Sequence, residues 1–181
     1  MKTLLVTTLI AIAGCISTKG ETVKTEKAVF AAGCFWGVES AFRQVDGVLD
    51  TQVGYTGGKT ANPTYKEVCS DTSGHAEAIE IVFDPDQVSY KTLVGLFFKM
   101  HDPTQVNRQG PDVGTQYRSA VFYHSPEQKI IAENVQAALE ASGKRSRPIA
   151  TQIVPAGLFY RAEEYHQRYF EKNGGPSCHI F

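Results

Sequence analysis

Cys34 is the residue of this sequence whose surroundings most favour chemical reactivity. It follows a short apolar run at 28–32, typical of a buried strand, and precedes apolar residues at the spacing of one helical face. A helix N-terminus offers unpaired N–H groups and a partial positive charge, and both favour the thiolate. Gly33 and Gly37 leave the sulfur open to close approach. The pattern predicts a reactive thiol, and the alternative is a buried structural cysteine at a tight turn.

Two large aromatic side chains, Phe35 and Trp36, directly follow this cysteine. Rings at a turn are available to wall an apolar ligand pocket, which argues against a purely structural cysteine. We therefore expect a pocket beside the thiol.

Glu77 is the second residue whose position suggests chemistry. On the predicted strand 75–83 it shares a face with two isoleucines and a phenylalanine. Burial disfavours the charged carboxylate, so its pKa should rise and it could hold a proton near neutral pH. The alternatives are a glutamate at an exposed strand end, or one paired with an arginine such as Arg118. For Glu39, one helical turn beyond Cys34, we expect a structural role.

The pentapeptide 33–37, Gly-Cys-Phe-Trp-Gly, resembles the active-site motif of the A-type peptide-methionine sulfoxide reductases, which reduce the S epimer of methionine sulfoxide. The resemblance continues, in order, through the blocks 54–58, 62–65, 74–77, 101–105 and 114–119. It covers about residues 28–178 and implies an oxidoreductase acting on free methionine sulfoxide and on oxidised proteins.

The resemblance implies a nucleophile and an acid. A sulfoxide oxygen leaves poorly until it is protonated, and the sulfur must be attacked by a soft nucleophile. Cys34 would attack the sulfur, and Glu77 would protonate the oxygen.

The resemblance also implies a substrate pocket. Tyr65 and Tyr117 match two tyrosines that bond the sulfoxide oxygen, and Asp112 matches an acidic residue of the same pocket. Phe35 and Trp36 would hold the S-methyl group. For each tyrosine the alternative is an ordinary half-buried ring.

Regeneration of the thiol requires a second cysteine. Attack leaves Cys34 as a sulfenic acid, and Cys178, in a glycine-rich C-terminal segment, resembles the family's resolving cysteine. The chain ends at Phe181 with no later cysteine, so an external thioredoxin-like reductant should attack the Cys34–Cys178 disulfide itself. No bound cofactor is expected. Because no Cys-x-x-Cys or His-x-x-x-His pair occurs, no metal site is expected either, and Cys69 is interpreted as a small packed side chain.

The N-terminal residues suggest export. Residues 1–14 resemble a lipoprotein-type signal peptide, Cys15 would be the acylated first residue, and 15–27 would form a polar tether before a catalytic domain at 28–181. This predicts a lipid-anchored protein of the bacterial cell envelope, facing the periplasm. The alternatives are a signal-like segment that is cut elsewhere and a frayed apolar N-terminus.

Composition narrows the possible partners. The net charge is −1 and no basic stripe occurs, which excludes nucleic acid as an expected partner. About 150 residues remain after the tether, enough for one well-cored domain, which we expect to be a monomer.

The order of predicted elements is β-α-β-β-α-β, typical of a ferredoxin-like unit. It predicts an α+β two-layer sandwich with a mainly antiparallel sheet and a C-terminal extension. The predicted strands are 28–33, 48–54, 75–83, 117–123 and 149–154; the predicted helices are 35–45, 89–100, one starting at Ser125, and 162–172.

Two other function classes remain open at this point. A thiol hydrolase or acyl transferase would pair Cys34 with His75, His101 or His166, and spacing alone excludes none of them. A lipoprotein binding module would leave Cys34 merely buried.

Overall fold

The structure is a computed structural model that describes residues 24–174. The signal segment 1–14, Cys15, most of the predicted tether and Cys178 lie outside the described residues. The strands are β1 Glu26–Ala32, β2 Val48–Thr56, β3 Ala76–Phe83, β4 Arg108–Gln109, β5 Asp112–Val113, β6 Ser119–Tyr123, β7 Gln152–Pro155 and β8 Tyr160–Arg161. The helices are α1 Phe35–Phe42, α2 Tyr65–Cys69, α3 Tyr90–Lys99, α4 Pro126–Ala141 and α5 Tyr169–Asn173.

The main sheet has the strand order β7-β6-β1-β3-β2-β8. Its four central strands pair antiparallel, while β6 and β7 pair in parallel. Helix α1 connects β1 to β2 across the intervening β3, and α3 connects β3 to β6 across β1. The predicted α+β fold with a ferredoxin-like, mainly antiparallel core is confirmed.

The hydrophobic core lies between this sheet and helices α1, α3 and α4. At its centre Phe30 of β1 stacks against Phe42 and Phe97, with ring centroids 5.5 and 5.2 Å apart. Burial of a large apolar side chain contributes about 1.5–3 kcal/mol, so these rings hold the helices to the sheet. The opposite face of the sheet carries small residues such as Ala76 and Ala78, together with Phe122.

Some element boundaries differ from the sequence-based prediction. Strand β1 begins at Glu26, two residues before the predicted start of this strand at residue 28. Helix α1 ends at Phe42 instead of residue 45, because the chain closes there in tight turns from Gln44 to Ala41 and from Val45 to Phe42. Strand β6 begins at Ser119, after a 3₁₀ turn over Thr115–Tyr117.

Between the predicted strands 48–54 and 75–83 lies a short helix that the prediction missed. Thr64 accepts a hydrogen bond from the Glu67 N–H, and the Glu67 carboxylate accepts one from the Thr64 N–H. This capping box is readable in the sequence as Thr-x-x-Glu, and it begins α2 at Tyr65.

The predicted helix 162–172 is wrong over most of its length. Residues 164–168 form turns, and only Tyr169–Asn173 are helical. The prediction also missed the β4–β5 hairpin and strand β8. Among residues 24–174, no helix combines the length and apolar character needed to cross a membrane.

Candidate active site

Cys34 lies at the junction of β1 and α1, as the sequence predicts. Cys34 is partly exposed to solvent, and both Cys34 and Cys69 are present as thiols. Gly33 has a φ of +89°, and a Cβ there would lie 2.6 Å from the Gln109 Cβ. Only glycine fits this turn without strain, so it both directs the chain into α1 and admits the β4–β5 hairpin beside Cys34.

Glu77 meets the same helix N-terminus from β3. The Phe35 N–H donates to the Glu77 Oε2 at 3.1 Å, and Glu77 is only 2% exposed. Burial raises the pKa of Glu77 to about 8; the Phe35 N–H opposes this effect, and the charge of Asp112 adds to it. The carboxyl is therefore protonated over most of the neutral range.

The two alternatives for Glu77 are not found. Its position is neither at an exposed strand end nor beside Arg118, whose guanidinium donates to the carbonyls of Thr115 and Gly57.

The two tyrosines lie beside Glu77. Burial raises the pKa of both Tyr65 and Tyr117 well above the ordinary value of 10.0, and the charge of Glu77 contributes to each shift. The charges of Asp112 and Cys34 also raise the pKa of Tyr117. Both hydroxyls thus stay protonated and able to donate hydrogen bonds, and the structure brings Cys34, Glu77, both tyrosines and Asp112 together.

Asp112 reaches the site from the β4–β5 hairpin. It pairs with Gln109 across the hairpin, and Gln109 packs against Gly33. The hairpin thereby fixes a second carboxyl group next to the buried Glu77. This element was absent from the prediction, although Asp112 itself was named.

Phe35 and Trp36 differ in their surroundings. Phe35 is 1% exposed and packs against Tyr55, with the ring centroids 6.0 Å apart. Trp36 is partly exposed; its Nε1 donates to the His166 Nδ1 at 3.0 Å, and its ring stacks on Tyr169 at 3.7 Å. These two contacts hold the indole at one edge and on one face, so Trp36 forms a fixed wall of the site.

Sequence reasoning missed the part that two residues play in holding the aromatic side chains of the site. His166 was considered only as a partner base, yet its ring lies 4.6 Å from that of Tyr65 and 5.0 Å from that of Phe35. Glu163 accepts hydrogen bonds from the Tyr55 hydroxyl and from the Tyr65 N–H, each at 2.8 Å. An acidic-aromatic cluster in the segment 162–169 was the signal available for both.

The histidines do not favour a cysteine–histidine dyad. His75 accepts from the Gly58 N–H through Nδ1 and bonds the Thr60 carbonyl through Nε2. His101 uses its ring nitrogens on the Phe97 carbonyl and the Ser119 hydroxyl. In His166 the Nδ1 accepts from Trp36, so its proton is on Nε2 and no basic nitrogen remains.

The expectation for Cys69 was wrong. It is exposed at the end of α2 rather than packed in the core, and its thiol bonds with the Tyr65 hydroxyl. Among residues 24–174, no three His, Cys, Asp or Glu side chains are grouped to hold a metal ion.

Known proteins of one family match most of this chain in sequence. The family model described as peptide methionine sulfoxide reductase matches residues 26–181. A protein from Acidobacterium capsulatum named peptide methionine sulfoxide reductase MsrA is 60% identical over 154 residues, which are 85% of this chain and 99% of the relative.

Solved structures share the fold. Mxr1 from Saccharomyces cerevisiae in reduced form has a TM-score of 0.81 at 36% identity, covering 90% of this chain and 95% of that one. Mxr1 in complex with Trx2 has a TM-score of 0.59 over 92% of this chain and 96% of that one. At 24% identity this second likeness shows the fold alone.

Proposed function

The chain belongs to the peptide methionine sulfoxide reductase family, as an A-type oxidoreductase that reduces methionine S-sulfoxide to methionine, and we propose that Cys34 is its nucleophile and Glu77 its acid. One observation carries this assignment: the Phe35 N–H links the carboxyl of Glu77 to the helix N-terminus on which Cys34 lies.

Cys34 attacks the sulfur of the sulfoxide as a thiolate. Glu77, protonated at neutral pH because burial raises its pKa to about 8, gives its proton to the sulfoxide oxygen. Methionine leaves with two more electrons, while the oxygen ends on Cys34 as a sulfenic acid. Atoms and electrons balance, since Cys34 is oxidised by the two electrons that the sulfoxide gains.

The neighbouring side chains orient the substrate. Tyr65 and Tyr117 remain protonated and donate hydrogen bonds to the sulfoxide oxygen. The negative charge of this oxygen increases as attack proceeds, and the two hydrogen bonds stabilise it. Trp36 and Phe35 contact the S-methyl group, and Asp112 completes the polar side of the pocket. The fixed indole of Trp36 supports this division between an apolar and a polar side.

Cys178 resolves the sulfenic acid. Its thiolate attacks the Cys34 sulfur, water leaves, and a disulfide forms that an external thioredoxin-like dithiol reduces by exchange. Mxr1, which in its reduced form is 36% identical to this chain, has also been solved in complex with Trx2, and this supports a partner of this class. Both free methionine sulfoxide and oxidised proteins serve as substrates.

We also propose a location in the bacterial cell envelope. Residues 1–14 direct export, Cys15 carries the lipid, and the polar residues after it act as a tether. The proposal rests on the sequence alone and is independent of the reductase assignment.

Counting thiols tests the proposed cycle. Titration of the thiols before and after methionine S-sulfoxide is added to the reduced protein should show a loss of two thiols per methionine formed. Cys34→Ser should lose none and form no methionine, whereas Cys69→Ser should behave as the wild type. An equal loss of activity in the Cys34 and Cys69 variants would contradict the assignment, as would unchanged thiols in the wild type.

A further inference from the structure

A second cleft opens on the face of the sheet opposite the helices. Its volume is about 500 Å³. Phe122 lies at its wall, on the side of β6 that faces away from the helical core, whereas the neighbouring Val121 is part of that core. Glu77 lies on the same side of β3 as the core isoleucines, so the sheet separates this cleft from the chemistry described above.

The cleft combines apolar walls with positive charge. Its charged lining consists of Arg118 and Lys59. Arg118 is 9% exposed, while Lys59 is exposed. The apolar lining includes Phe122, Val154 and Leu158. A buried cation beside apolar side chains, of which Leu158 is exposed, suits a ligand with an anionic head and an apolar tail.

The guanidinium of Arg118 lacks a carboxylate partner among residues 24–174. It donates to the Thr115 carbonyl at 2.9 Å and, more weakly, to the Gly57 carbonyl at 3.5 Å. A guanidinium has five N–H donors and stays charged in proteins. Two neutral carbonyls therefore leave some of its N–H donors without an acceptor and its positive charge without a counter-charge. Burial lowers the pKa of Arg118, and no acidic group opposes this effect. Buried charges are normally paired, which points to an anion from outside the described chain.

The backbone holds this arginine in a built position. Gly57 has a φ of +78°, and a Cβ there would lie 2.8 Å from the Arg118 Nη2 and 2.8 Å from the Phe122 Cε1. The glycine thus lets the guanidinium and the ring pack against the turn. Arg118 is fixed at the base of the cleft instead of extending into solvent.

We propose that this cleft binds a small organic carboxylate with a short apolar tail. The carboxylate meets the planar guanidinium of Arg118, which matches its two oxygens, and the tail packs on Phe122, Val154 and Leu158. The volume is within the range of small-molecule sites, about 300–1,000 Å³. Lys59 at the surface attracts the anion.

Ligands with one tail and different heads test the recognition of charge. Hexanoate, hexanol and hexylamine are titrated into the reduced full-length protein, and amide NMR shifts are recorded. Hexanoate should shift the amides around 57–60 and 152–158 saturably, and bind about tenfold or more tightly than the other two. Equal binding of hexanol, or shifts centred on Cys34, would overturn the proposal.

Paired surface variants test the site itself. Leu158→Glu adds a carboxylate at the cleft mouth, at a side chain that is 75% exposed; Val106→Glu makes the same change at one that is 73% exposed and outside the cleft. The first should weaken hexanoate binding by about tenfold or more and the second should not, with reductase activity unchanged in both. Equal hexanoate affinity in the two variants would refute the site.

N-acetyl-leucine, a model of a protein C-terminus, identifies the source of the carboxylate. Tighter binding of hexanoate than of N-acetyl-leucine supports a small free carboxylate. The reverse order overturns that assignment in favour of a chain terminus.

Discussion

Two buried glutamates show how the surroundings of a residue determine its chemistry. Glu39 accepts hydrogen bonds from the Thr51 hydroxyl and the Arg168 N–H, so its carboxyl group is used to hold α1 against β2 and the C-terminal turns. Glu77 accepts one N–H, from Phe35, and faces the site. Glu39 is therefore suited to a structural role, whereas Glu77 retains a proton that it can transfer.

Removal of the titrating proton from Glu77 should slow the reaction. We expect Glu77→Gln to lower turnover by about 10²–10⁴-fold with little change in substrate binding, the usual contribution of a general acid. Wild-type turnover should fall as the pH rises through about 8, where Glu77 ionises, and the variant should lack this fall. Steady-state kinetics from pH 6 to 9.5, with folding checked by circular dichroism, measure both effects.

Glu39→Gln is the matched control, since it changes a buried glutamate of the neighbouring helix in the same way. Its folded fraction should retain turnover close to that of the wild type and keep the fall at high pH. A loss of less than about threefold in Glu77→Gln would assign Glu77 a structural role.

At the scale of elements, local patterns predicted the strand β1, the beginning of α1, and strand β3 with the face on which Glu77 lies. The segment 162–168 could not be predicted in this way. It carries a helical pattern of apolar residues, but Gln167 instead bonds both the N–H and the carbonyl of Val53. Glu163 and His166 similarly bond residues that lie between 98 and 130 positions away in the chain. Such long-range contacts override local helix propensity and are invisible to a periodicity argument.

The turn between β1 and α1 should tolerate no side chain at Gly33. Gly33→Ala places a Cβ 2.6 Å from the Gln109 Cβ at a φ of +89°, so it should destabilise the fold by about 1–3 kcal/mol and lower activity. In Gly95→Ala, within α3, the added Cβ meets no atom within 4 Å, so stability should rise by about 0.4–1 kcal/mol. Urea unfolding of both variants checks the signs, and a destabilisation shared equally by the two would contradict this account.

At the scale of the whole molecule, the sheet separates two environments. One face is covered by helices and meets the proposed catalytic residues at its edge, and the other carries the cleft that we propose binds a carboxylate. The order of elements predicted the four central strands, because their connections leave few possible arrangements. The outer strand β7 was predicted at 149–154 and forms at Gln152–Pro155, whereas β8 and the strands of the β4–β5 hairpin have only two residues each, too few for a pattern that distinguishes them from loops.

The protonated Glu77 should also make global stability depend on pH. Its pKa is 4.5 when unfolded and about 8 when folded, so between these values the folded protein holds a proton that the unfolded chain lacks. This contribution is complete below 4.5 and is lost as the pH rises through 8, with a slope of up to about 1.4 kcal/mol per pH unit. The unfolding free energy of Glu77→Gln, relative to that of the wild type, should therefore rise between pH 5 and 8 in urea titrations. A constant difference across this range would show that Glu77 does not keep its proton on folding.

We propose that Cys34 takes the oxygen from methionine sulfoxide and that Cys178 then removes it. A single turnover of the Cys178→Ser variant, reduced and mixed with excess methionine S-sulfoxide, tests this claim most directly. The account predicts one equivalent of methionine per protein and a dimedone adduct that peptide mass spectrometry maps to Cys34. Release of no methionine, or an adduct on Cys69 in place of Cys34, would contradict it.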